Sequence, residues 1–386
     1  MIQYLTRDLI NHIAVFQAVM LVIILTNIWL MRRSRKHSNP LTLPRVLILV
    51  PARNEAGHIK ACIRSLLGQK YPDFEVLVLD DQSTDSTPVK LAQLALEHDR
   101  LKVITGLPAP EGIAGKNWAC AQLAGPADGE LLFFTDADTV YQADALAEIV
   151  GAMLAEKADL LTGFPRQVVK TWGERLLVPF FSWASLNFIP LGLAYLLRST
   201  VLAIAVGQIM VFTRKAYETV GGHAALGTNI LDDIVLARRI KAAGLRWRVA
   251  HISDLVSCRM YDNSRDAYEG LTKNLFGAFG YRLLPYLFII IWLVSMTWVP
   301  ILVLVFWLSG LAPIVHASVL MVCLGMALLT WLFTLIEIKV PIVVTLLYPL
   351  SILANAWVML RSLVFSLGGK LQWKDRVLEK PKWKWL

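Results

Sequence analysis

The chain has 386 residues, of which 56% are hydrophobic and only 17% are charged, and its formal net charge is +9 at pH 7. A typical soluble domain is about 45–50% apolar and about 25% charged, so this composition excludes a disordered chain and a wholly soluble protein. The four cysteines form no C-x-x-C pair, which argues against a zinc site and a disulfide scaffold. The positive excess suits anionic lipid or an anionic substrate. No basic run is interleaved with aromatics inside the folded part, so we expect no nucleic-acid partner.

The first predicted element is a membrane span. Residues 12–31 contain no Asp, Glu, Lys or Arg, and such a run is long enough to cross a hydrocarbon core of about 30 Å. Arg32, Arg33, Arg35 and Lys36 follow at once, which places the next residues in the cytoplasm by the positive-inside rule. We predict an anchor over residues 1–36 rather than a cleaved signal peptide, because the apolar run is too long and the charges follow it.

Residues 45–260 alternate short apolar strands with helical stretches, which predicts an α/β domain with a mostly parallel sheet. Strands are predicted at residues 46–50, 75–80, 102–105 and 131–136. Ligands bind beyond the carboxyl ends of such strands, and three polar motifs stand there: PARNE (51–55), DDQSTD (80–85) and DAD (136–138). The chain has no P-loop and no G-x-G-x-x-G after the first strand, which argues against the two commonest nucleotide folds.

The pair Asp136 and Asp138 follows a fully apolar strand. Two such carboxylates can bind Mg²⁺ or Mn²⁺, whose coordination shell is completed by phosphate oxygens and water. The cation would neutralise charge on a departing diphosphate. A turn or a helix cap is the alternative role for these side chains.

The sequence LDDIVLARRIKAAG (231–244) predicts a helix that begins with Asp232 and Asp233. Capping needs only one of the two carboxylates, so we predict that Asp233 acts as a general base on an incoming hydroxyl. Lys116, in GKNWA near a helix start, could bind phosphate together with helix N–H groups. Its alternative is an ordinary solvated lysine.

Other polar residues are candidates for contacts with the nucleotide and with phosphate. Asp81 could accept hydrogen bonds from a base or a ribose, while Ser83 and Asp85 suit an Asx turn and a helix cap. Three basic residues precede the C-terminal apolar region, and they would either hold phosphates or extend to the membrane interface: Arg259, Arg265 and Lys273. The seven histidines do not cluster in the sequence, and we assign none of them a role.

Residues 176–197 are uncharged but interrupted by Pro179, Asn187 and Pro190. A full span there would put the acidic motifs on opposite sides of the membrane. We therefore predict an element at the membrane surface or a re-entrant element. An ordinary pair of buried helices is the alternative.

The C-terminal region begins with 54 uncharged residues, 283–336, which Gly310 and Pro313 divide into two predicted spans. A third stretch, 340–360, contains Pro341 and Pro349. If it crossed fully, the basic tail would lie outside, against the positive-inside rule. A re-entrant last segment would remove that conflict, and the sequence leaves the choice open.

The order PARNE, LDDQSTD, TDADT and LDDIVLARRIKAAG resembles the family 2 glycosyltransferases of the GT-A fold, over about residues 44–275. The resemblance implies that Asp233 is the catalytic base and that Asp138, with Asp136, binds a divalent cation. The residues that it implies for the nucleotide-sugar are Pro51, Arg53, Glu55, Asp81, Lys116, Asp136 and Asp232. One departure is Asp232, where the family has Glu, and it leaves the base itself in place.

The motifs also narrow the branch of the family. The Q-x-x-R-W pattern of processive polysaccharide synthases fails, because Ala243 stands three residues before Arg246. GKNWA, CRMY (258–261) and residues 205–223 look like the branch that glycosylates membrane lipids such as hydroxylated carotenoids, hopanoid-pathway lipids and ceramide. The resemblance adds Gln208 to the three basic residues named above as a candidate contact for phosphate or acceptor. QWKDR (372–376) is similar to the W-K-G-R of many such C-termini, with Asp for Gly.

The expected protein is thus a multi-pass inner-membrane glycosyltransferase with a cytoplasmic catalytic domain. The predicted parts are an anchor (1–36), a GT-A domain (37–281), a C-terminal transmembrane region (282–367) and a basic tail (368–386). It would move a sugar, taken as glucose, from a UDP-sugar to a lipid hydroxyl with inversion, since no second carboxylate is placed as a nucleophile. The alternatives are transfer to a polyprenyl phosphate, and a transporter or scaffold with a non-catalytic nucleotide-binding domain.

Overall fold

The computed structural model describes residues 2–33, 43–126, 128–310, 316–369, 372–373, 376–377 and 383–386. Arg35, Lys36, Pro313 and most of the basic tail lie outside the described residues. The chain forms two compact units. The helical unit comprises Met1–Asn27, Val169–Pro190 and Tyr261–Leu386, and the sheet unit comprises Ile28–Val168 and Leu191–Met260. The predicted domain boundaries stay predictions.

The helices are α1 (Ile2–Arg33), α2 (Ile59–Leu67), α3 (Thr87–Glu97), α4 (Gly115–Ala124), α5 (Ala145–Ala155), α6 (Trp172–Leu177), α7 (Pro179–Phe188), α8 (Leu191–Leu196), α9 (Arg214–Thr219), α10 (Asp232–Ala242), α11 (Ser264–Ala278), α12 (Leu283–Leu308), α13 (Ala317–Glu337) and α14 (Tyr348–Leu367). The strands are β1 (Val46–Ala52), β2 (Phe74–Asp80), β3 (Leu101–Thr105), β4 (Leu131–Phe134), β5 (Thr139–Tyr141), β6 (Leu160–Phe164), β7 (Arg166–Gln167), β8 (Met210–Thr213), β9 (Trp247–His251), β10 (Val256–Cys258), β11 (Gln372–Trp373) and β12 (Arg376–Val377). Short 3₁₀ turns cover Thr200–Leu202, His223–Leu226 and Ile342–Leu347.

The sheet unit contains a seven-stranded sheet with the order β3-β2-β1-β4-β8-β6-β9. Only β8 is antiparallel to its neighbours, β4 and β6, and the other adjacent pairs are parallel. β1 lies between β2 and β4, so the strand order reverses at β1, and this opens a crevice beyond the carboxyl ends of β1 and β4. β5, β10 and β7 form a small second sheet. The predicted mostly parallel α/β sheet, accompanied by apolar helices long enough to span a membrane, is confirmed.

The central strands are continuous apolar runs because both of their faces are covered. All five residues of VLILV (46–50) are buried, and so are all four residues of β4. Helices α2 and α5 contribute Ile63 and Ile149 to the same core as Ile48. Parallel sheets covered on both faces read as such runs rather than as an alternation of apolar and polar residues. A rigid sheet of this kind fixes the loops that follow its strands.

Among the described residues, four helical segments are long and apolar enough to cross a membrane: Arg7–Arg33, Leu283–Leu308, Ala317–Glu337 and Ile342–Leu367. The first three coincide with the predicted spans, and the fourth begins with the 3₁₀ turn that follows Pro341. Within the helical unit, Ile10 of α1 packs in one apolar cluster with Val303 of α12 and Leu320 of α13.

Helix α7, within the predicted interface segment 176–197, is buried inside the helical unit. The Asn27 side chain donates hydrogen bonds to the carbonyl oxygens of Leu186 and Ile189, both at 2.8 Å. The Trp183 ring stacks on Trp331 of α13 with a centroid distance of 4.9 Å. These contacts favour the buried-helix alternative for this helix.

Residues 191–197 of that segment lie in the sheet unit, and together with the four residues that follow they have a different character. Leu193, Leu196, Leu197 and Val201 are exposed, with Leu196 82% and Val201 70% accessible. Four large apolar side chains exposed within nine residues are unusual for a soluble surface and typical of an interaction site. The segment therefore divides into a buried helix and an exposed apolar stretch.

Candidate active site

The loops after β1 and β2 hold each other in place. The Arg53 guanidinium donates a hydrogen bond of 2.6 Å to the Asp81 carbonyl oxygen. Asn54 and Gln82 have left-handed backbone with φ of 52° and 57°, a conformation that asparagine tolerates better than most residues. The Asn54 amide donates to the Ser83 hydroxyl at 2.9 Å. PARNE and DDQSTD thus form one interlocked edge beside the crevice.

The loop after β4 is fixed by a chain of hydroxyl groups. Tyr141 donates a hydrogen bond of 2.6 Å to Thr135 Oγ1, which lies 2.7 Å from Thr139 Oγ1. Thr139 in turn donates to the Asp136 carbonyl oxygen at 2.7 Å. These contacts hold the backbone of the aspartate pair independently of any ligand. The Asp138 Oδ1 atom is buried without a hydrogen-bond partner.

Lys116 connects two of the predicted acidic motifs. Its ammonium nitrogen lies 2.9 Å from an Asp136 oxygen and 3.6 Å from an Asp232 oxygen. The Asn117 side chain donates to the carbonyl oxygens of Gly227 and Asn229 at 3.0 and 2.8 Å. These bonds join the start of α4 to the loop that leads into α10. A lysine and an aspartate that are 116 positions apart in the sequence therefore meet.

Asp233 lies close to the same lysine. Its Oδ2 atom accepts a hydrogen bond of 3.1 Å from the Gly207 amide. A Cβ atom at Gly207 would stand 3.4 Å from the Lys116 nitrogen and 3.5 Å from Asp233 Oδ2. Glycine at this position therefore leaves room between the ammonium and the carboxylate.

The two adjacent carboxylates at the start of α10 have pKa values shifted in opposite directions. Burial alone would raise the pKa of Asp232, but the Lys116 ammonium and the neighbouring His223 together outweigh it and lower that pKa well below its usual range. Burial and the neighbouring Asp232 charge raise the pKa of Asp233 to about 7. Asp232 is therefore a permanent anion, whereas Asp233 has the proton affinity suited to a general base near neutral pH.

The pKa values of Asp138, after β4, and of Lys116 are also shifted by burial and by neighbouring charges. Burial, followed by the charges of Asp136 and Glu55, raises the pKa of Asp138 to about 7. Burial would lower the pKa of Lys116, but the carboxylates of Asp136 and Asp232 outweigh it and raise that pKa well above its usual range. The carboxylates around Lys116 outnumber the positive charges, so Asp138 can bind a further cation. The Lys116 ammonium can bind a phosphate.

Residues 47–221 match the family model described as Glycosyl transferase family 2. The chain contains a family 2 glycosyltransferase domain. The match covers PARNE, DDQSTD, GKNWA and the aspartate pair, and the family predicted from the motifs is confirmed.

Two curated relatives are similar to parts of this chain. The beta-monoglucosyldiacylglycerol synthase of Nostoc sp. is 38% identical over 118 residues, 30% of this chain and 25% of the relative. The 4,4'-diaponeurosporenoate glycosyltransferase of Staphylococcus aureus is 26% identical over 233 residues, 59% of this chain and 60% of the relative. The chain thus spans less than two thirds of either relative's length.

Among solved structures, the chain is similar to a mannosyltransferase from Pyrobaculum calidifontis in complex with GDP-Man and Mn²⁺. The sequence identity is 20% and the TM-score is 0.47, and the alignment covers 95% of this chain and 100% of the other.

Two further predicted residues lie close to the acidic cluster. The carbonyl oxygen of Gln208 accepts a hydrogen bond from Thr135 Oγ1 at 3.1 Å. The Arg259 amide donates to the Asp138 carbonyl oxygen at 3.3 Å. Arg265 and Lys273 belong instead to α11 in the helical unit, where Arg265 pairs with Glu269 at 2.9 Å. The structure therefore gathers the acidic motifs, Lys116, Gln208 and Arg259 in one unit.

Sequence reasoning missed His223. This side chain is fully buried, and its Nε2 atom lies 3.7 Å from an Asp232 oxygen. It stands nine positions before Asp232 in a turn between two helices, and no spacing rule marks it. The preceding pair Gly221 and Gly222, both at positive φ, indicates a tight turn, but not what the turn brings together.

Proposed function

We propose that this protein is an inverting glycosyltransferase that moves a sugar from a nucleotide-sugar to a hydroxyl group of a membrane lipid. The observation that carries the proposal is the cluster in the sheet unit of Asp136, Asp232 and Asp233 around Lys116. Its family match and the lipid substrates in the names of the curated relatives support it. The donor is proposed to be UDP-glucose, and the acceptor class includes hydroxylated carotenoids.

Asp233 is the proposed base. Its carboxylate would take the proton of the lipid hydroxyl while the hydroxyl oxygen forms a bond to the anomeric carbon. The bond from that carbon to the diphosphate breaks, and a nucleoside diphosphate leaves. One displacement inverts the anomeric centre. A pKa of about 7 leaves a substantial fraction of Asp233 ionised near neutral pH and keeps the carboxylate basic enough to accept the proton.

Lys116 and the aspartate pair would act on the leaving group. The ammonium of Lys116 stays charged in the site and would bind the diphosphate. The buried, unpartnered Oδ1 of Asp138 fits a divalent cation, with Asp136 as the second carboxylate. Among the described residues, no group of three His, Cys, Asp or Glu side chains could complete a metal site, so donor phosphates and water would supply the other ligands. Mg²⁺ or Mn²⁺ so bound would offset charge on the diphosphate.

The edge formed by PARNE and DDQSTD would bind the nucleoside. Asp81 is buried at the end of β2, next to the backbone that Arg53 fixes. Pro51 and Glu55 border the same loop. Titration of the purified protein with UDP-glucose, UDP-N-acetylglucosamine and GDP-mannose would identify the donor. Failure to bind any of them would favour the alternative of a transporter or scaffold with a non-catalytic domain.

Transfer to a polyprenyl phosphate is the alternative within the same enzyme class. A phosphate acceptor is already ionised and needs no base. Full activity after Asp233→Asn would therefore favour a phosphate acceptor over a hydroxyl. The raised pKa of Asp233 is the observation that favours the hydroxyl.

Contacts of α14 support a re-entrant last segment. The Tyr286 hydroxyl, near the start of α12, donates to the Met359 carbonyl oxygen at 3.0 Å. The Trp298 ring nitrogen, 12 residues further along α12, donates to the Pro349 carbonyl oxygen at 3.3 Å. α14 is thus antiparallel to α12. It packs along about 18 Å of α12, at 1.5 Å per residue, and the C-terminal end of α14 lies beside the start of α12.

The last four residues lie at that same end of the helical unit. The amides of Leu283 and Leu284 donate to the carbonyl oxygens of Lys384 and Trp385 at 2.8 and 3.0 Å, and the Lys384 amide donates to Tyr281 at 2.9 Å. Helix α13 starts beside the far end of α12, so it too runs back toward the start of α12. We propose three crossings, with the C-terminus on the cytoplasmic side. The basic tail then obeys the positive-inside rule.

Labelling of single cysteines in intact cells tests this topology. Cysteines at Ser86 and after Leu386 should resist a membrane-impermeant thiol reagent, whereas one at Ser309 should react. The four native cysteines are buried and give little background. Labelling of the C-terminal cysteine would mean four crossings, and labelling at Ser86 would reverse the orientation.

The exposed apolar stretch over residues 193–201 is the proposed route for the acceptor. A lipid that keeps its chain in the bilayer avoids about 0.8 kcal/mol for each CH₂ brought into water. Leu196→Glu and Val201→Glu should each reduce transfer to lipid severalfold without weakening nucleotide-sugar binding. Leu96→Glu is the matched control, since Leu96 is 90% exposed on α3 of the same unit. Equal effects at the three positions would contradict this route.

A further inference from the structure

His223 lies in a tight turn that its two preceding glycines allow. Gly221 and Gly222 have φ of 79° and 52°, and a Cβ atom on Gly222 would come within 2.5 Å of the Tyr217 ring. The turn therefore brings the backbone of His223 onto Tyr217, and the His223 amide donates to the Tyr217 hydroxyl at 3.0 Å. The imidazole also packs on Phe134, the last residue of β4, with a centroid distance of 4.6 Å.

The same hydroxyl determines which nitrogen of the ring carries the proton. Tyr217 Oη lies 2.9 Å from His223 Nδ1. The hydroxyl accepts from the His223 amide, and among the described residues Nδ1 is the acceptor that the structure gives for its own proton, so Nδ1 accepts. Burial lowers the pKa of His223, so the ring is neutral at pH 7. The neutral ring therefore carries its proton on Nε2, which faces Asp232.

Two buried polar atoms without hydrogen-bond partners face each other across this contact. His223 Nε2 and Asp232 Oδ2 have no hydrogen bond in the structure, and they lie 3.7 Å apart. The Asp232 oxygen keeps an ion pair with Lys116 at 3.6 Å, but the buried His223 N–H would be left without a partner, which is costly. Contacts of this kind are often long in the free enzyme and shorten when substrate binds. A small rotation of the Asp232 side chain would make a charge-assisted hydrogen bond.

We infer that His223 is a positioning residue, which acts by aiming and fixing the Asp232 carboxylate between Lys116 and the donor sugar. This inference rests on the proposed function and deepens it. Tyr217 is the outer member of the arrangement, because it sets the tautomer of the imidazole. Asp232 would hold the sugar while its neighbour, Asp233, takes the acceptor proton. Tyr217 thus orients His223, and His223 orients the ionised Asp232 carboxylate.

Substitutions that keep the shape of the turn test the inference. His223→Phe retains an aromatic ring but no donor, and we expect kcat to fall about tenfold to hundredfold, the range for a lost hydrogen bond to a charged group. The donor Kd should change less than threefold. His223→Gln places an amide N–H at a similar reach and should recover most of kcat. Tyr217→Phe, which leaves the imidazole intact, should reduce kcat severalfold.

A double-mutant cycle separates positioning from folding. In the Asp232→Asn background, neither His223→Phe nor Tyr217→Phe should lower kcat further. Additive losses, equal losses for the Phe and Gln variants of His223, or an unchanged kcat would each overturn the inference. The Tyr217→Phe arm applies even where His223→Phe fails to fold. Full activity of Asp232→Asn itself would instead contradict the proposed role of Asp232, so the two failures are distinguishable.

Discussion

Replacing Asp233 with asparagine should lower the rate of sugar transfer to a lipid hydroxyl by about 10² to 10⁴, the usual contribution of a general base. The side chain keeps its size, and one oxygen remains to accept from the Gly207 or Ile234 amide. Binding of the nucleotide-sugar should therefore persist. The measurement is kcat with the lipid acceptor in nanodiscs, together with the donor Kd by calorimetry.

Asp99→Asn is a suitable control, because Asp99 is exposed in the sheet unit and should leave both quantities unchanged. A loss of donor binding as large as the loss of kcat would assign Asp233 to the donor instead of the acceptor. An unchanged transfer rate for Asp233→Asn would show that Asp233 is not the general base.

The pH dependence of the transfer rate is a second test of Asp233. Only ionised Asp233 can accept a proton, and its pKa is raised to about 7. Transfer should therefore be fastest above pH 8 and fall about tenfold for each pH unit well below 7. Asp232→Asn removes a charge that helps to raise this pKa, so the acidic limb of the profile should move to lower pH. A limb that stays in place would mean that another group titrates.

Sequence reasoning succeeded where a signal is local. The run VLILV (46–50) and the polar residues that follow it are adjacent in the chain, so one pattern indicates both a buried strand and the edge of a site. The same holds for β4 and the aspartate pair. The helix that begins at Asp232 also follows from neighbouring residues. A parallel sheet places these strand ends together, so the acidic cluster could be predicted without coordinates.

Contacts between distant residues could not be predicted in this way. Lys116 meets Asp232 because Asn117 fixes the loop before α10, and His223 meets the same carboxylate because of its glycine turn. Neither contact has a periodicity or a motif. Composition was ambiguous for residues 176–197, since an apolar, proline-broken segment suits either burial or an interface. Leu186 is 1% exposed and Leu196 is 82% exposed, a difference that only packing decides.

Removal of the divalent cation should abolish turnover of the native enzyme. Excess EDTA is expected to lower transfer by at least about a thousandfold, since a cation that offsets charge on the leaving group contributes several kcal/mol. Mg²⁺ or Mn²⁺ should restore the rate. Asp138→Asn keeps the side-chain volume but removes one of the two carboxylate charges that would bind the cation. It should cause a comparable loss of transfer, which added metal recovers only in part.

The structure also makes a prediction that does not depend on activity. The Oδ1 atom of Asp138 is buried without a partner, and burial together with Asp136 and Glu55 raises its pKa to about 7. Neutralising one of these crowded carboxylates should therefore stabilise the metal-free protein, so Asp138→Asn should raise its Tm by a few degrees in EDTA. With Mn²⁺ and nucleoside diphosphate present, the order should reverse, because only the native chain gains stability from the cation. Full transfer in EDTA, or the same Tm order in both conditions, would show that Asp138 holds no metal.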